Sequence, residues 1–136
     1  MTAQNVEIIE VSPRDGIHNE AQILNLDTKL ALIDRAVRAG AARIEVTSFV
    51  NPKRVPQMAD ADDLAAALPR GVAAKYIGLA LNRRGFERAL AGRLDEANFV
   101  VVATDTFNQR NQGVPTRESI DAFTAISAEA DGRIDV

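Results

Sequence analysis

Apolar residues recur along this chain with two alternating periods. Val6–Val11 (VEIIEV) is short, β-branched and bounded by a Pro-Arg-Asp-Gly turn, the signature of a strand running into a loop. From Asp27 or Thr28, either able to cap a helix, the spacing lengthens. Leu30, Ile33, Ala36 and Val37 then fall on one helical face as far as about Arg38, and Gly40 supplies the stop. Arg43–Val50 (RIEVTSFV) returns to alternation, with Ile44 and Val46 on one side and Arg43, Glu45 and Thr47 on the other. Asn51–Met58 carries two prolines and reads as loop. Asp60–Leu68 is a short helix closed by Pro69, and Ala74–Ala80 a third strand. Asn82 stands at the N-cap of a helix carrying Phe86, Ala89 and Leu90. Asn98–Ala103 (NFVVVA) is the most apolar strand, and Thr104–Pro115 a polar loop. A helix capped by Thr116 turns Ile120, Phe123 and Ile126 inward, and Arg133–Val136 opens a fifth strand.

Strand and helix alternating with short connections predict a parallel sheet with helices packed against it. Two architectures fit. One is a closed five-stranded doubly wound domain, a natural size for 136 residues. The other is the first half of an eightfold barrel, which needs about 250 residues in full. Glu45 bears on the choice. A mid-strand carboxylate under helices is costly unless paired, whereas near a barrel mouth it can reach a polar site.

Composition narrows the chemistry. The net charge of −3, with acids and bases interspersed, gives no electrostatic footprint for nucleic acid or an anionic membrane. Cysteine is absent, which removes disulfides, thiolate ligands and cysteine nucleophiles. No apolar run approaches the roughly 20 residues of a spanning helix, and MTAQNVEI lacks a charged-then-apolar leader pattern, so a cytoplasmic protein is expected.

The polar residues at strand ends carry the remaining signal. Arg14 and Asp15 share the first turn. Arg14 can be a fixed donor fork for a developing enolate, and Asp15 a hard oxygen ligand for Mg²⁺ or Mn²⁺. The alternative is a solvated turn in which Asp15 caps an amide. Glu45 can act as an acid or base, hold Arg14, or simply pair with Arg43. His18, the single histidine, can be a base, a ligand or a surface residue. Lys53 and Arg54 can grip a phosphate-bearing substrate tail or remain solvated.

Three segments together, EVSPRDGIHNE (Glu10–Glu20), IEVTSFVNPKRVPQM (Ile44–Met58) and TDTFNQRN (Thr104–Asn111), resemble the hydroxymethylglutaryl-CoA lyases. These are TIM-barrel metallolyases with an Asp, Arg and Glu signature. The resemblance favours the barrel over the closed domain: an α/β (β/α)₈ fold, here its first four βα units and the start of strand five, with residues 1–136 as its N-terminal half. It implies that Arg14 polarises a thioester carbonyl, that Asp15 binds a divalent metal, and that Glu45 is an active-site acid beside the arginine. Arg14, His18, Ser48 and Asn82 would line an acyl-CoA pocket.

The implied reaction is retro-Claisen cleavage of a 3-hydroxyacyl-CoA to acetyl-CoA and a keto acid, as in leucine degradation, by a homo-oligomer, expected to be a dimer. A related aldol or Claisen enzyme on another acyl-CoA or 2-oxo acid, and a non-catalytic α/β binding domain, are the rivals. Two positions depart from the family pattern: His18 stands where a glutamine is usual and Ser12 where a glycine is. The family's His-x-His pair, an asparagine ligand and a loop cysteine have no counterpart up to Val136. The 136 residues are therefore expected to be part of a longer lyase and inactive alone.

Overall fold

A computed structural model describes residues 6–136, so most of the stretch read for a leader pattern lies outside the described residues. Four strands, β1 (Ile9–Glu10), β2 (Arg43–Ser48), β3 (Lys75–Ala80) and β4 (Glu96–Phe99), form one parallel sheet in the order β1-β2-β3-β4. Doubly wound sheets reverse their strand order part-way, and this one does not. The chain forms the first four βα units of a TIM barrel. Arg133–Val136 meets the expectation of a fifth strand in outline: Asp135 bridges Glu96 in parallel, and the Ala97 amide donates to the Asp135 carbonyl at 2.8 Å.

Among the described residues six helices accompany the strands: α1 (Asp15–His18), α2 (Leu26–Arg38), α3 (Ala61–Ala67), α4 (Arg83–Ala91), α5 (Asp105–Gln112) and α6 (Thr116–Ala130), with a 3₁₀ turn at Pro56–Met58. Ile33, Ile44, Val46, Leu64, Phe86, Ala97 and Ile126 form the core between helices and sheet. Gly78 lies where β3 passes under this layer. A Cβ there would come within 2.6 Å of both Leu94 Cδ1 and a Phe49 ring carbon. Only a hydrogen lets the sheet and helices close to native density.

Several boundaries differ from the sequence reading, each for a local reason. β1 is only two residues long, and Val6 and Ile8 are exposed beside it. The turn after it contains a helical turn rather than open loop, because the Val11 carbonyl accepts from the amides of both Arg14 and Asp15. α2 begins at Asn25, not Asp27 or Thr28. Asn25 has extended backbone and its Oδ1 accepts from the Thr28 amide at 2.9 Å, which leaves Asp27 in the first turn facing the helix dipole. Asn82 caps α4 as expected, accepting from the Gly85 amide at 3.0 Å.

At α6 the expected cap fails. Pro115 is the N-cap, and the Thr116 hydroxyl donates to the Val102 carbonyl. Of the three residues expected inward on α6, Ile126 is buried, Phe123 is half-buried against Phe99 with ring centroids 5.8 Å apart, and Ile120 is exposed.

The fourth strand is displaced. It covers Glu96–Phe99, and Val100–Ala103 leave the ladder. Their backbone groups find side chains of α5 instead: the Val102 amide donates to Asn108 Oδ1, and the Val100 carbonyl accepts from Gln112. α5 occupies the stretch read as polar loop. Its DTFNQRNQ sequence has no apolar stripe, and it is held by Asn108, fully buried and also bonded to the Val114 carbonyl and Ser119 Oγ.

In β2 the expected alternation breaks. The register with β3 shifts between Glu45 and Thr47, a β-bulge that re-aims the residues beyond it. Thr47 turns to Met58, its hydroxyl 3.7 Å from the sulfur, while Ser48 reaches the groove at the strand ends. Burial covers Ile44 through Ser48 without alternation, as expected for a strand flanked on both faces.

Candidate functional site

The site begins with the turn after β1. Glu10 accepts from the Ser12 amide at 2.8 Å, and this bond holds its carboxyl below the usual carboxylate range. The turn delivers Arg14 to the concave face of the sheet, with its side chain only 17% exposed. There Arg14 Nε donates to Glu45 Oε1, and Nη1 donates to Asp15 Oδ1 at 3.0 Å. The three signature residues thus converge through Arg14. Two guanidinium N–H bonds are committed, and Nη2 has no partner among the described residues.

Glu45, from the middle of β2, is almost fully enclosed at 3% side-chain exposure. Its second oxygen accepts from Asn98 Nδ2 at 3.0 Å. Both carboxylate oxygens are therefore engaged, which answers the desolvation cost of a charge in the sheet. The pairing with Arg43, one of the alternatives in the sequence, does not form; Arg43 instead binds Glu96 and Glu7. Asn98 was not singled out in the sequence. Its only signal there is its type, an amide opening an otherwise apolar run.

Asp15 is the most open member, 58% exposed. His18 stands one helical turn on, with Nδ1 3.4 Å from the Asp15 carbonyl and 3.8 Å from Oδ1. An exposed carboxylate with one free oxygen suits one position around Mg²⁺ or Mn²⁺. No group of three or more His, Asp or Glu side chains converges among the described residues. This chain's donors thus fit one ligand position and not a complete shell.

Above these residues lies a groove of about 1080 Å³ across the C-terminal ends of the strands. Arg14, His18, Ser48 and Asn82 all line it, as do Lys53, Arg54 and Arg84 on its rim. Ser48 Oγ is buried with no hydrogen-bond partner among the described residues. The side-chain oxygen of Asn82 accepts its helix-cap bond, and its amide nitrogen has no partner among the described residues. Arg88, also on the groove wall, is held by Asp62 at 2.9 Å and lies over the Phe49 ring.

The loop between β2 and α3 is fastened to its neighbours. Lys29, buried on α2, donates to the Gln57 carbonyl and to Asp60 Oδ1, and Gln57 donates to the Glu20 carbonyl. The loops carrying Arg14 and Lys53 are thereby tied together. Neither Lys29 nor Gln57 was expected here, since a buried lysine on a helix face carries no sequence mark of its partner.

The HMGL-like family model matches residues 5–135. The chain is 37% identical over 127 residues to the hydroxymethylglutaryl-CoA lyase YngG of Bacillus subtilis, covering 93% of this chain and 42% of that protein. It is 40% identical over 139 residues to the (R)-citramalyl-CoA lyase of Chloroflexus aurantiacus, covering 93% of this chain and 44% of the relative. Among solved structures, the HMG-CoA lyase of Acinetobacter baumannii in complex with coenzyme A and 3-methylmalate superposes with a TM-score of 0.91 at 34% identity, covering 99% of this chain and 45% of that one. The Brucella melitensis HMG-CoA lyase gives 0.87 at 38% identity, with 94% and 45% covered. The chain spans less than half the length of each of these relatives. With the family matched over nearly all its residues and the barrel geometry reproduced, the chain belongs to the HMGL-like family.

Proposed function

We propose that this chain carries the arginine side of the active site of a carbon–carbon lyase that cleaves a 3-hydroxyacyl-CoA, such as hydroxymethylglutaryl-CoA, to acetyl-CoA and a keto acid. The observation that carries the reading is the Arg14 guanidinium, anchored through Nε by an enclosed carboxylate, lining the groove, and with Nη2 unbonded among the described residues. In retro-Claisen cleavage the substrate hydroxyl loses its proton and its carbon becomes a ketone. The C–C bond electrons pass to the thioester as an enolate, which is then protonated at carbon. Charge grows on the thioester oxygen, and a preorganised guanidinium is suited to hold it. Glu45 fixes the fork of Arg14 and offsets its charge in the resting state.

A divalent cation would supply positive charge for the substrate's oxygen atoms, with Asp15 as the ligand this chain offers. Lys53, Arg54 and Arg84 suit the phosphates of coenzyme A, as flexible cations along the groove rim. Ser48, whose hydroxyl has no partner among the described residues, suits a hydrogen bond to the acyl portion.

A second reading, cleavage of a different 3-hydroxyacyl-CoA, is favoured by His18 on the groove wall and by the 40% identity to a citramalyl-CoA lyase. The deciding experiment incubates the full-length protein with Mg²⁺ or Mn²⁺ and a panel of 3-hydroxyacyl-CoA thioesters, and follows acetyl-CoA release by mass spectrometry. Fastest turnover of hydroxymethylglutaryl-CoA supports the first reading, and preference for another thioester supports the second. Cleavage of none defeats both.

A further inference from the structure

We infer that Asn98 is a positioning residue for the lyase reaction, holding Glu45 in the one orientation that aims Arg14 at the thioester oxygen. The inference rests on the lyase reading above and adds to it a residue on a different strand. Glu45 and Asn98 lie on β2 and β4, with β3 between them. Strands two apart are separated by about 10 Å, so in a flat sheet these short side chains would stand side by side without touching. Here the sheet curves, and Asn98 Nδ2 meets Glu45 Oε2 at 3.0 Å. Two residues earlier on the same strands, Arg43 Nε meets Glu96 Oε1, also at 3.0 Å, so the bridging over β3 repeats and is not an accident of one rotamer.

The chemistry of the contact is specific. Glu45 Oε1 is taken by Arg14 Nε. With Oε2 free, the carboxylate could rotate about its terminal torsion, a broad and weakly restrained one, and swing the guanidinium with it. A donor on Oε2 fixes that torsion. Asn98 supplies the donor without charge, so it does not compete with Arg14 for the carboxylate as a lysine or arginine would. Among the described residues Asn98 is exposed and is not a member of the core cluster.

The experiment compares Asn98→Leu, Asn98→Asp and Asn98→Gln in the full-length protein. Each is assayed for turnover of the preferred thioester and for the Arg14 Nε–H resonance, assigned by its loss in Arg14→Lys. Asn98→Leu is expected to lower kcat about tenfold with KM changed less than about twofold, and to speed solvent exchange of the Nε–H. Asn98→Asp, which sets a like charge against Glu45, is expected to do worse, and Asn98→Gln to recover most of the loss.

Unaltered kcat and unaltered Nε–H exchange in folded Asn98→Leu and Asn98→Asp would overturn the inference. The two readings fail separately. If the parent protein cleaves no thioester but the Nε–H still loses protection in Asn98→Leu, the clamp stands and the lyase assignment falls.

Discussion

Strand β2 takes part in two arginine–carboxylate clusters, through Arg43 at its foot and through Glu45 two residues further on, and they have opposite characters. At the foot, Arg43 Nε and Nη2 both grip Glu96, and its Nη1 reaches Glu7. Lys75 adds contacts to Glu96 and Asp135. Those bonds to Glu96 hold the Arg43 guanidinium above its ordinary range. Each of the three guanidinium nitrogens has a carboxylate partner. Nearer the mouth, Arg14 from the turn after β1 binds Asp15 and Glu45, lines a groove, and has no partner for Nη2 among the described residues. A closed charge network ties strands together, while one left open on a rigid frame can act on a ligand. This is the division of labour expected between the two faces of a barrel.

The contrast can be broken by exchanging the roles of its parts. Arg14→Met is expected to lower kcat about a thousandfold, since it removes the donor set for the developing oxyanion, and to lower thermal stability as well, because the enclosed Glu45 loses its cation. The check is acetyl-CoA release alongside a melting curve. Asp15→Asn is expected to cost about a hundredfold in turnover at a fixed Mg²⁺ or Mn²⁺ concentration, with part recovered as the cation is raised. A loss that no amount of cation restores would place Asp15 outside the ligand set.

Arg43→Met separates stability from turnover. It strands the mostly buried Glu96 and should lower unfolding stability by about 2 kcal/mol in urea melts while leaving kcat near wild type. If Arg43→Met abolished turnover in a folded protein, the division between the two ends would be false.

The smallest effect belongs to Tyr76 on β3, a member of the apolar core. Its buried hydroxyl has no hydrogen-bond partner among the described residues, and burial pushes its ionisation above the ordinary tyrosine range. An unfolded tyrosine ionises near pH 10, so above that pH the unfolded chain has released a proton that the folded chain still holds. Folding stability should therefore fall as pH rises through that window. Tyr76→Phe should flatten the fall and gain about 1 kcal/mol at neutral pH, because an unsatisfied hydroxyl leaves the core. Equilibrium unfolding of both proteins at neutral pH and above pH 10 measures both effects.

How much of this was legible in the sequence depended on whether an element was specified locally. β2, β3, α2 and α4 were recoverable because an apolar stripe, a cap such as Asn82 or a stop such as Gly40 lies within the segment itself. α5 was not: its polar sequence is folded by Asn108, whose partners lie in the strand-end segment before it and in α6 after it. The displacement of β4 has the same origin, since valines that look like strand give their backbone bonds to α5 side chains.

In the site, the convergence of Arg14, Asp15 and Glu45 was foreseen from the family resemblance and is present in the structure. Asn98 was invisible because its role depends on curvature, which brings β4 within reach of β2 and leaves no trace in a linear pattern.

The offset within β2 decides which residue faces the chemistry. One surplus residue before Thr47 sends the threonine outward to Met58 and turns the serine toward the groove. Were Val46 paired regularly instead, strict alternation from Glu45 would exchange those two places and set a methyl-bearing hydroxyl at the rim, a change of pocket lining achieved without substituting either residue. Strand register is thus a variable of the groove lining that point-mutation libraries never sample.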